Sequence, residues 1–195
     1  YKRQTLFALQ EGIINDKGEV DEATLIDKLS EVHLKFVPNK ETGRSDMFLN
    51  DENVEHEIRS MRVSGFVSPV AAIKEVREKL VKIQQEMGKD KGIVMDGRDI
   101  GTVVFPDAEL KLFMTASPET RANRRYKELL DKGEEVTYAE VLKNVEERDR
   151  IDSTRTISPL TQAKDAIEFD NSDMGLEEQF ERIHDYAQRV IAKLG

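Results

Sequence analysis

Four consecutive residues near the middle of the chain, Asp96-Gly97-Arg98-Asp99, combine two carboxylates with a guanidinium group. They directly follow the apolar run Gly92-Ile93-Val94-Met95, which predicts a buried strand. A strand that ends in this way places both kinds of charge at the rim of a sheet, where open α/β folds bind their ligands. The pattern therefore predicts a site that handles phosphate. The alternative is an ordinary strand end with solvated charges.

A further charged side chain, Arg77, falls on the apolar face of a predicted helix. Ser68 and Pro69 are typical N-cap and first-turn residues, so the helix is predicted to begin there and to run to Gly88. Its apolar stripe is formed by Val70, Ile73, Val76, Leu80, Ile83 and Met87. At 100° per residue, Arg77 projects between Val70 and Ile73. A charge on a buried face needs a partner or a ligand. The alternative is a side chain that extends its head group to water.

A third set of charges continues a valine stripe along a later helix. Thr137 and Glu140 predict a capping box at its start. The inward positions, spaced by four, three, four and three residues, are Val141, Val145, Arg148, Asp152 and Arg155. Because this face begins apolar and turns charged, we expect the helix to run from the core out over a polar cleft. A solvated face of ion pairs is the alternative, but such a face would not continue the valines.

The other elements place these residues in an α/β fold. A first helix is predicted at 2–10, closed by Gly12, and a second, short one is capped by Asp21. A third starts at Ser117-Pro118 and ends near Gly133. The chain closes with an amphipathic helix marked by Leu176, Phe180, Ile183, Val190 and Leu194. Strands are predicted at 110–116 and 166–169, and a small antiparallel hairpin is predicted from the runs 34–37 and 47–49, separated by 38–43. Strands that alternate with capped helices predict a sheet with parallel strands.

Composition limits the kinds of partner. The 195 residues, 38% of them hydrophobic, are enough for one domain with a small insertion. No apolar stretch is long enough to span a membrane, no leader opens the sequence and no cysteine occurs, which favours a cytoplasmic protein. The net charge of −9 argues against a nucleic-acid binder, yet residues 121–155 carry nine Lys and Arg against nine Asp and Glu. Arginines concentrated inside an acidic protein suit a small phosphorylated ligand. The three histidines show no ligand spacing, and we assign them no role.

These motifs together resemble the bacterial cytidylate kinases, which are P-loop nucleoside monophosphate kinases. The resemblance rests on 96–108, on the Arg, Asp, Arg spacing of 148–155 and on Ser158-Pro159-Leu160, and it extends from Tyr1 through the closing helix. It implies an α/β fold with a parallel sheet flanked by helices. The core would comprise 1–31 and 65–195, with a helical lid at about 118–140. The hairpin region 32–64 would be the small antiparallel insertion that binds CMP.

The resemblance also implies roles for individual residues on the acceptor side. Ser68, Arg77 and Asp99 would read the cytosine, Arg148 and Asp152 would lie near the ribose, and Arg98 and Arg155 would meet the acceptor phosphate. Arg98, Arg148 and Arg155 are the predicted catalytic residues. Lys2 occupies the position of an arginine in the family and would bind CMP, unless neighbouring Arg3 serves instead.

On the donor side, Arg121, Arg124 and Arg125 of the predicted lid are candidates for contacting the phosphates of ATP, although the three cannot all face one ligand. Asp96 would hold Mg²⁺ through an intervening water, or else it only orders the turn. The implied reaction transfers the γ-phosphoryl group of ATP to CMP or dCMP, giving ADP and CDP or dCDP. It requires positioning and charge neutralisation more than covalent chemistry. A monomer is the expectation from the resemblance alone.

One element of the family is missing from the sequence. No G-x-x-x-x-G-K-[ST] motif, the loop that cradles the donor phosphates, occurs in the 195 residues. We therefore expect the natural protein to be longer, and the chain as it stands to be inactive. The alternatives are a catalytically inactive nucleotide-binding module that lacks the ATP-binding loop, and a kinase for UMP or AMP.

Overall fold

The computed structural model describes residues 1–15, 17–41 and 43–194. The chain divides into two compact units. The first comprises Tyr1–Leu80 and Glu147–Asp152, and the second comprises Val81–Glu146 and Ser153–Gly195. Within the described residues, no helix is long and apolar enough to cross a membrane.

The first unit combines short helices with a small antiparallel sheet. Its elements are α1 (Lys2–Gln10), α2 (Glu22–Lys28), β1 (Leu34–Asn39), β2 (Arg44–Leu49), β3 (Glu52–Asn53), α3 (Met61–Ala72) and the start of α4 (Lys74–Met87). Strands β1 and β2 pair antiparallel, with Leu34 opposite Leu49, and β3 extends the sheet beside β2. The predicted hairpin is therefore confirmed, although Thr42 in its turn lies outside the described residues. The predicted cap of α2 is confirmed as well, because the Asp21 carboxylate accepts a hydrogen bond from the amide of Thr24.

Helix α3 begins earlier than predicted. Ser60 caps it by accepting a hydrogen bond from the amide of Val63, so Ser68 and Pro69 lie inside the helix. The prediction that a helix starts at Ser68 was wrong because Val63 and Val67 already supply the helical apolar spacing upstream. Helix α3 instead ends just before Ile73, whose extended backbone (ψ 124°) separates α3 from α4.

The core of the first unit lies between α1, the sheet and helices α3 and α4. Its buried members include Leu6, Phe7, Leu25, Met47, Leu49, Val54, Val63, Val70, Ile73, Val76 and Leu80. Met47 and Leu49 are buried and alternate with the partly buried Asp46 and Phe48 along β2, as the twofold period of a strand requires. The hairpin is therefore fixed in register by the same core that packs the helices.

The second unit contains a parallel strand pair and three long helices. Its elements are the end of α4, β4 (Leu112–Thr115), α5 (Pro118–Asp131), α6 (Tyr138–Thr154) apart from the stretch Glu147–Asp152, β5 (Ile167–Asp170) and α7 (Leu176–Leu194). Strands β4 and β5 pair parallel, with Leu112 opposite Ile167. Ser117 caps α5, and Thr137 with Glu140 forms the predicted capping box, in which the Thr137 hydroxyl and amide both donate to the Glu140 carboxylate. The α/β class with a parallel sheet and a small antiparallel sheet is thus confirmed.

The apolar run before Asp96 does not form the predicted strand. Residues 92–95 are irregular, and the side chain of Val94 is 100% exposed. An apolar run becomes a strand only where a neighbouring strand supplies its hydrogen bonds. In the described part of the chain, this segment has no such ladder. Met95 instead accepts a hydrogen bond on its sulfur from Gln84, at 3.4 Å.

Helix α7 forms as predicted, and much of its apolar face is exposed. Leu176, Phe180 and Leu194 are exposed, and every residue of the helix retains accessible surface. Phe169 and Tyr186 make an edge-on ring contact at 6.4 Å, which ties the helix to β5. The amphipathic pattern therefore predicted the helix correctly.

The carboxyl of Glu128, near the end of α5, gives the second unit a pH-dependent contribution to stability. Partial burial raises its pKa, but hydrogen bonds from Lys132 and Arg125 outweigh this effect and lower the pKa from 4.5 to about 2. A lowered carboxyl pKa stabilises the folded state above pH 4.5, and this stabilisation is lost as the pH falls toward 2. Since the side chain is 44% exposed, solvent screening limits the effect to about 1 kcal/mol or less.

We predict that Glu128→Gln lowers the free energy of unfolding at pH 7 and that the difference from the wild type shrinks between pH 4.5 and 2. Urea unfolding at pH 7 and pH 3 measures it. Glu135→Gln, at an exposed position just after the helix, is the matched control and should show no such change. An equal difference at both pH values would contradict the assignment.

Candidate functional site

Several polar side chains of the first unit are buried beside its apolar core. Ser64 and Ser68 lie on α3, Arg77 lies in α4, and Asp152 lies in the last turns of α6. The spacing of four places both hydroxyls on one face of α3. Buried polar groups are retained where they are hydrogen-bonded or recognise a ligand. This set is therefore the candidate site of the first unit.

Arg77 is the largest fully buried side chain in the described residues, with 1% of its surface exposed. Its Nε donates a hydrogen bond to the carbonyl of Ala71 at 3.0 Å. Its guanidinium carbon lies 4.9 Å from the centroid of the Tyr1 ring, a cation–π distance. The prediction that Arg77 lies on a buried face is thus confirmed, and the alternative of a head group extended to water is excluded. The Ala71 bond and the Tyr1 ring fix the orientation of the planar guanidinium.

Arg148 and Asp152 lie one turn apart on α6, in the part of the helix that belongs to the first unit. Arg148 Nη1 donates to the hydroxyl of Ser64 at 3.3 Å. Asp152 is 2% exposed. Val141, at the start of this face, is fully buried, so the predicted passage from an apolar to a charged inward face is confirmed. A solvated face of ion pairs does not describe these positions.

Lys2 and Arg3 occupy the first turn of α1. The Arg3 guanidinium lies 5.5 Å from the centroid of the Phe36 ring on β1. Burial lowers the pKa of Arg3, and the Glu55 carboxylate partly offsets that effect. Arg3 therefore contacts the hairpin. Lys2 remains the predicted CMP-binding residue of this turn, with Arg3 as the alternative.

In the second unit, the segment from Asp96 to Asp99 leads into a short π-helical turn, Ile100–Val104. Arg98 is exposed, whereas Asp99 is buried. The Asp99 carbonyl accepts hydrogen bonds from the amides of Val103 at 2.9 Å and Val104 at 3.2 Å. π-helical turns are rare and frequently occur at functional sites. Arg98 is thus accessible to solvent and to a ligand, whereas Asp99 is buried in a hydrogen-bonded turn.

Asp96, the predicted magnesium carboxylate, lies in an irregular segment before the π-helical turn. Asp96 is exposed, and no group of three or more His, Cys, Asp or Glu side chains with metal-binding geometry occurs in residues 1–15, 17–41 and 43–194. Mg²⁺ in phosphoryl-transfer sites is held by one or two carboxylates together with substrate phosphates. Mg²⁺ bound at Asp96 would therefore need oxygen ligands from substrate phosphates as well.

Arg155 lies one residue beyond the end of α6, in the second unit. It is largely buried, and its Nε donates to the carbonyl of Ser158 at 2.8 Å. Ser158 has a positive φ of 48°, a backbone conformation that is uncommon for serine. The strained turn and the arginine therefore support each other at the Ser158-Pro159 motif.

The three arginines predicted for the lid have different surroundings. Arg121 Nε donates to the carbonyl of Ala116 at 3.0 Å, and Arg125 pairs with Glu128 at 2.8 Å. Arg124 donates to Asn171, Ser172 and Met174 in the loop after β5. A common role for all three in binding ATP phosphates is not favoured by this arrangement.

Two site residues were missed at the level of sequence. Tyr1, whose ring faces Arg77, and Ser64, which accepts from Arg148, are ordinary residue types without a charge to mark them. The spacing of four between Ser64 and Ser68 was the available signal for Ser64. It was hidden because the helix was predicted to begin only at Ser68. No local signal pointed to Tyr1, because its position depends on the packing of α1.

The parallel strand pair with flanking helices, the small antiparallel sheet and the buried arginines are consistent with a nucleotide-binding protein of the nucleoside monophosphate kinase class. Comparison with known sequences makes this specific. The family model described as cytidylate kinase matches residues 1–189. The chain belongs to the cytidylate kinase family.

Curated relatives support the same assignment. The chain is 57% identical over 191 residues to a cytidylate kinase of Phocaeicola vulgatus, an alignment that covers 98% of this chain and 83% of the relative. It is 55% identical over 190 residues to one of Flavobacterium psychrophilum, covering 97% and 84%. It is 58% identical over 179 residues to one of Parabacteroides distasonis, covering 92% and 78%. These names give no support to the alternative of an inactive module.

Proposed function

We propose that the protein transfers the γ-phosphoryl group of ATP to CMP or dCMP, producing ADP and CDP or dCDP. The observation that carries the proposal is the buried polar set of the first unit, with Arg77 held between the Ala71 carbonyl and the Tyr1 ring. Family membership supplies the reaction class, and this set supplies a chemical reason for the choice of base.

Cytosine and uracil differ at the edge that such a set would read. Cytosine offers acceptors at O2 and N3, whereas uracil carries a proton on N3. A guanidinium only donates hydrogen bonds, so Arg77 favours the base with two adjacent acceptors. The hydroxyl of Ser68 is able to accept from the 4-amino group of cytosine. A site with buried donors discriminates strongly, because the wrong base leaves them unpaired.

The sugar and phosphate would be held by other members of the predicted set. Arg148, with Ser64 behind it, and Asp152 are proposed to position the ribose. The family resemblance assigns the acceptor phosphate to Lys2, Arg98 and Arg155, and adds Asp99 to the base-reading residues. Guanidinium groups neutralise the negative charge that spreads over the transferred group. Each of these assignments is open to test by substitution.

The donor side is proposed from the family alone. ATP is the co-substrate, and Mg²⁺ arrives with its phosphates, with Asp96 as the carboxylate that approaches it through water. Bound Mg²⁺ would neutralise phosphate charge during transfer. Movement within the predicted lid at about 118–140 is proposed to exclude water, which otherwise competes with CMP as acceptor, while Arg121 and Arg124 keep the start of α5 at the strand ends.

The test is an ADP-release assay on the natural protein, with CMP, dCMP, UMP and AMP as acceptors. We expect CMP or dCMP to exceed UMP and AMP by at least about 100-fold in kcat/KM. Comparable rates with UMP or AMP would favour a kinase for those acceptors. Binding of CMP without ADP release would favour the inactive module. When arginine variants of the site are assayed in the same way, Arg62→Met, at an exposed position on α3, is the control for an arginine substitution outside the site.

A further inference from the structure

Two arginines of α5 hold the backbone that follows both parallel strands. Arg121 donates from Nε to the carbonyl of Ala116, directly after β4, at 3.0 Å. Arg124, three residues later on the same helix face, donates to the segment directly after β5. One helix thus fixes the chain at the carboxyl ends of two neighbouring strands.

The contacts of Arg124 are unusually numerous for one side chain. Nη2 donates to the carbonyls of Asn171 at 2.5 Å, Ser172 at 3.2 Å and Met174 at 3.3 Å. Nη1 donates to the side-chain oxygen of Asn171 at 3.1 Å. All four acceptors belong to residues 171–174, in the five-residue segment between β5 and α7. Both terminal nitrogens of the guanidinium are therefore committed to the shape of this loop.

The same loop is also held from the side of α7. The Asn171 side-chain amide donates to Gln179 Oε1 at 2.9 Å, and the Gln179 amide donates to the Met174 carbonyl at 3.3 Å. The backbone amide of Asn171 donates to the Thr115 carbonyl at 2.9 Å, which extends the strand pairing by one step. Arg124 and Gln179 thus brace one loop from two helices.

The position of the loop gives this bracing a functional meaning. Open α/β sheets bind ligands just outside the carboxyl ends of their strands, and residues 171–174 lie at that edge beside β4 and β5. We propose that Arg124 is a positioning residue for ATP: it holds the loop 171–174 in the conformation that the donor nucleotide binds, and it does not itself bind the phosphates. This inference rests on the proposed kinase function.

Substitution of Arg124 then has a specific kinetic signature. Arg124→Gln removes most of the bonds to the loop, so KM for ATP rises about tenfold while KM for CMP is unchanged. Arg124→Lys keeps the charge but only a single point donor, and gives an intermediate value. Gln179→Leu loosens the same loop without touching Arg124, and raises KM for ATP as well. A residue that binds phosphate directly would instead weaken ATP binding in Arg124→Gln without any change in hydrogen exchange of the loop.

The experiment combines amide hydrogen exchange of the natural protein with steady-state kinetics and ATP titration. We expect Arg124→Gln to speed exchange at least about tenfold in peptides covering 171–175, together with weaker ATP binding. Arg182→Gln, which removes an exposed arginine paired with Glu178 on α7, is the control and should change neither. Unchanged exchange in Arg124→Gln would overturn the proposal. Faster exchange with unchanged ATP affinity would overturn it too.

Hydrogen exchange and ATP titration separate this inference from the kinase assignment, because neither requires turnover. If the wild type binds ATP but transfers no phosphate to CMP, the proposed function fails while the role of Arg124 is still measured. If Arg124→Gln does not fold, Gln179→Leu and Arg124→Lys decide the matter by the same two readouts.

Discussion

Arg77→Met is expected to lower kcat/KM for CMP by about 1,000-fold, since each hydrogen bond to a charged group contributes about 1.5 to 3 kcal/mol and two are proposed. The preference for CMP over UMP should largely disappear, because methionine has no donor to distinguish the two bases. The Ala71 carbonyl and the Tyr1 ring already orient the guanidinium before CMP binds. The decrease in kcat/KM is therefore expected to reflect lost hydrogen bonds to the base. Initial rates with both acceptors measure the change.

A control separates recognition from folding in this experiment. Arg62→Met removes an exposed arginine from α3 and should leave both acceptors unaffected. Thermal unfolding of Arg77→Met checks that the fold persists after the Ala71 carbonyl loses its donor. An unchanged ratio of CMP to UMP activity in a folded Arg77→Met protein would refute the assignment of the base-reading role.

Arg155→Gln is expected to lower kcat by about 1,000-fold, with a smaller effect on KM, because arginines that neutralise a transferring phosphoryl group contribute on this scale. Arg155→Lys should recover only part of the rate, since a lysine supplies a point charge in place of a planar fork. Rapid-quench measurement of CDP formation gives the rate of the chemical step.

The bond from Arg155 to the Ser158 carbonyl provides a competing structural explanation. If that bond is the whole role, Arg155→Gln reduces thermal stability and the active fraction, and active-site titration of the remaining protein shows a normal kcat. Arg150→Gln, an exposed arginine paired with Glu147 on the same helix, is the matched control and should behave as the wild type.

Local chemistry predicted local structure well in this chain. Ser117-Pro118 and the Thr137–Glu140 box predicted helix starts correctly because the capping bonds form within a few residues. The hairpin was predicted correctly because its two strands are adjacent in the sequence, so the alternation of apolar and polar residues in two neighbouring runs is enough to indicate it. The start at Ser68-Pro69 was wrong because the same pair is tolerated inside a helix that is already capped by Ser60 and packed through Val63.

Predictions that depended on distant neighbours were less successful. The run 92–95 is apolar enough for a buried strand, yet only Met95 in it is partly buried. Leu176 and Phe180 lie on the apolar face of α7 and are exposed as well. Burial is a property of two surfaces, and a sequence pattern describes only one of them. The same reason explains which parts of the candidate site could be predicted. The helical period predicted that Arg77 is buried, whereas the contact of Arg77 with Tyr1 depends on how α1 packs.

A crystal structure of the natural protein bound to CMP would decide whether Arg77 reads the cytosine. We expect cytosine N3 or O2 within about 3 Å of a terminal nitrogen of Arg77, and the 4-amino group near the hydroxyl of Ser68. Density for CMP in which the base makes no contact with Arg77 would contradict it.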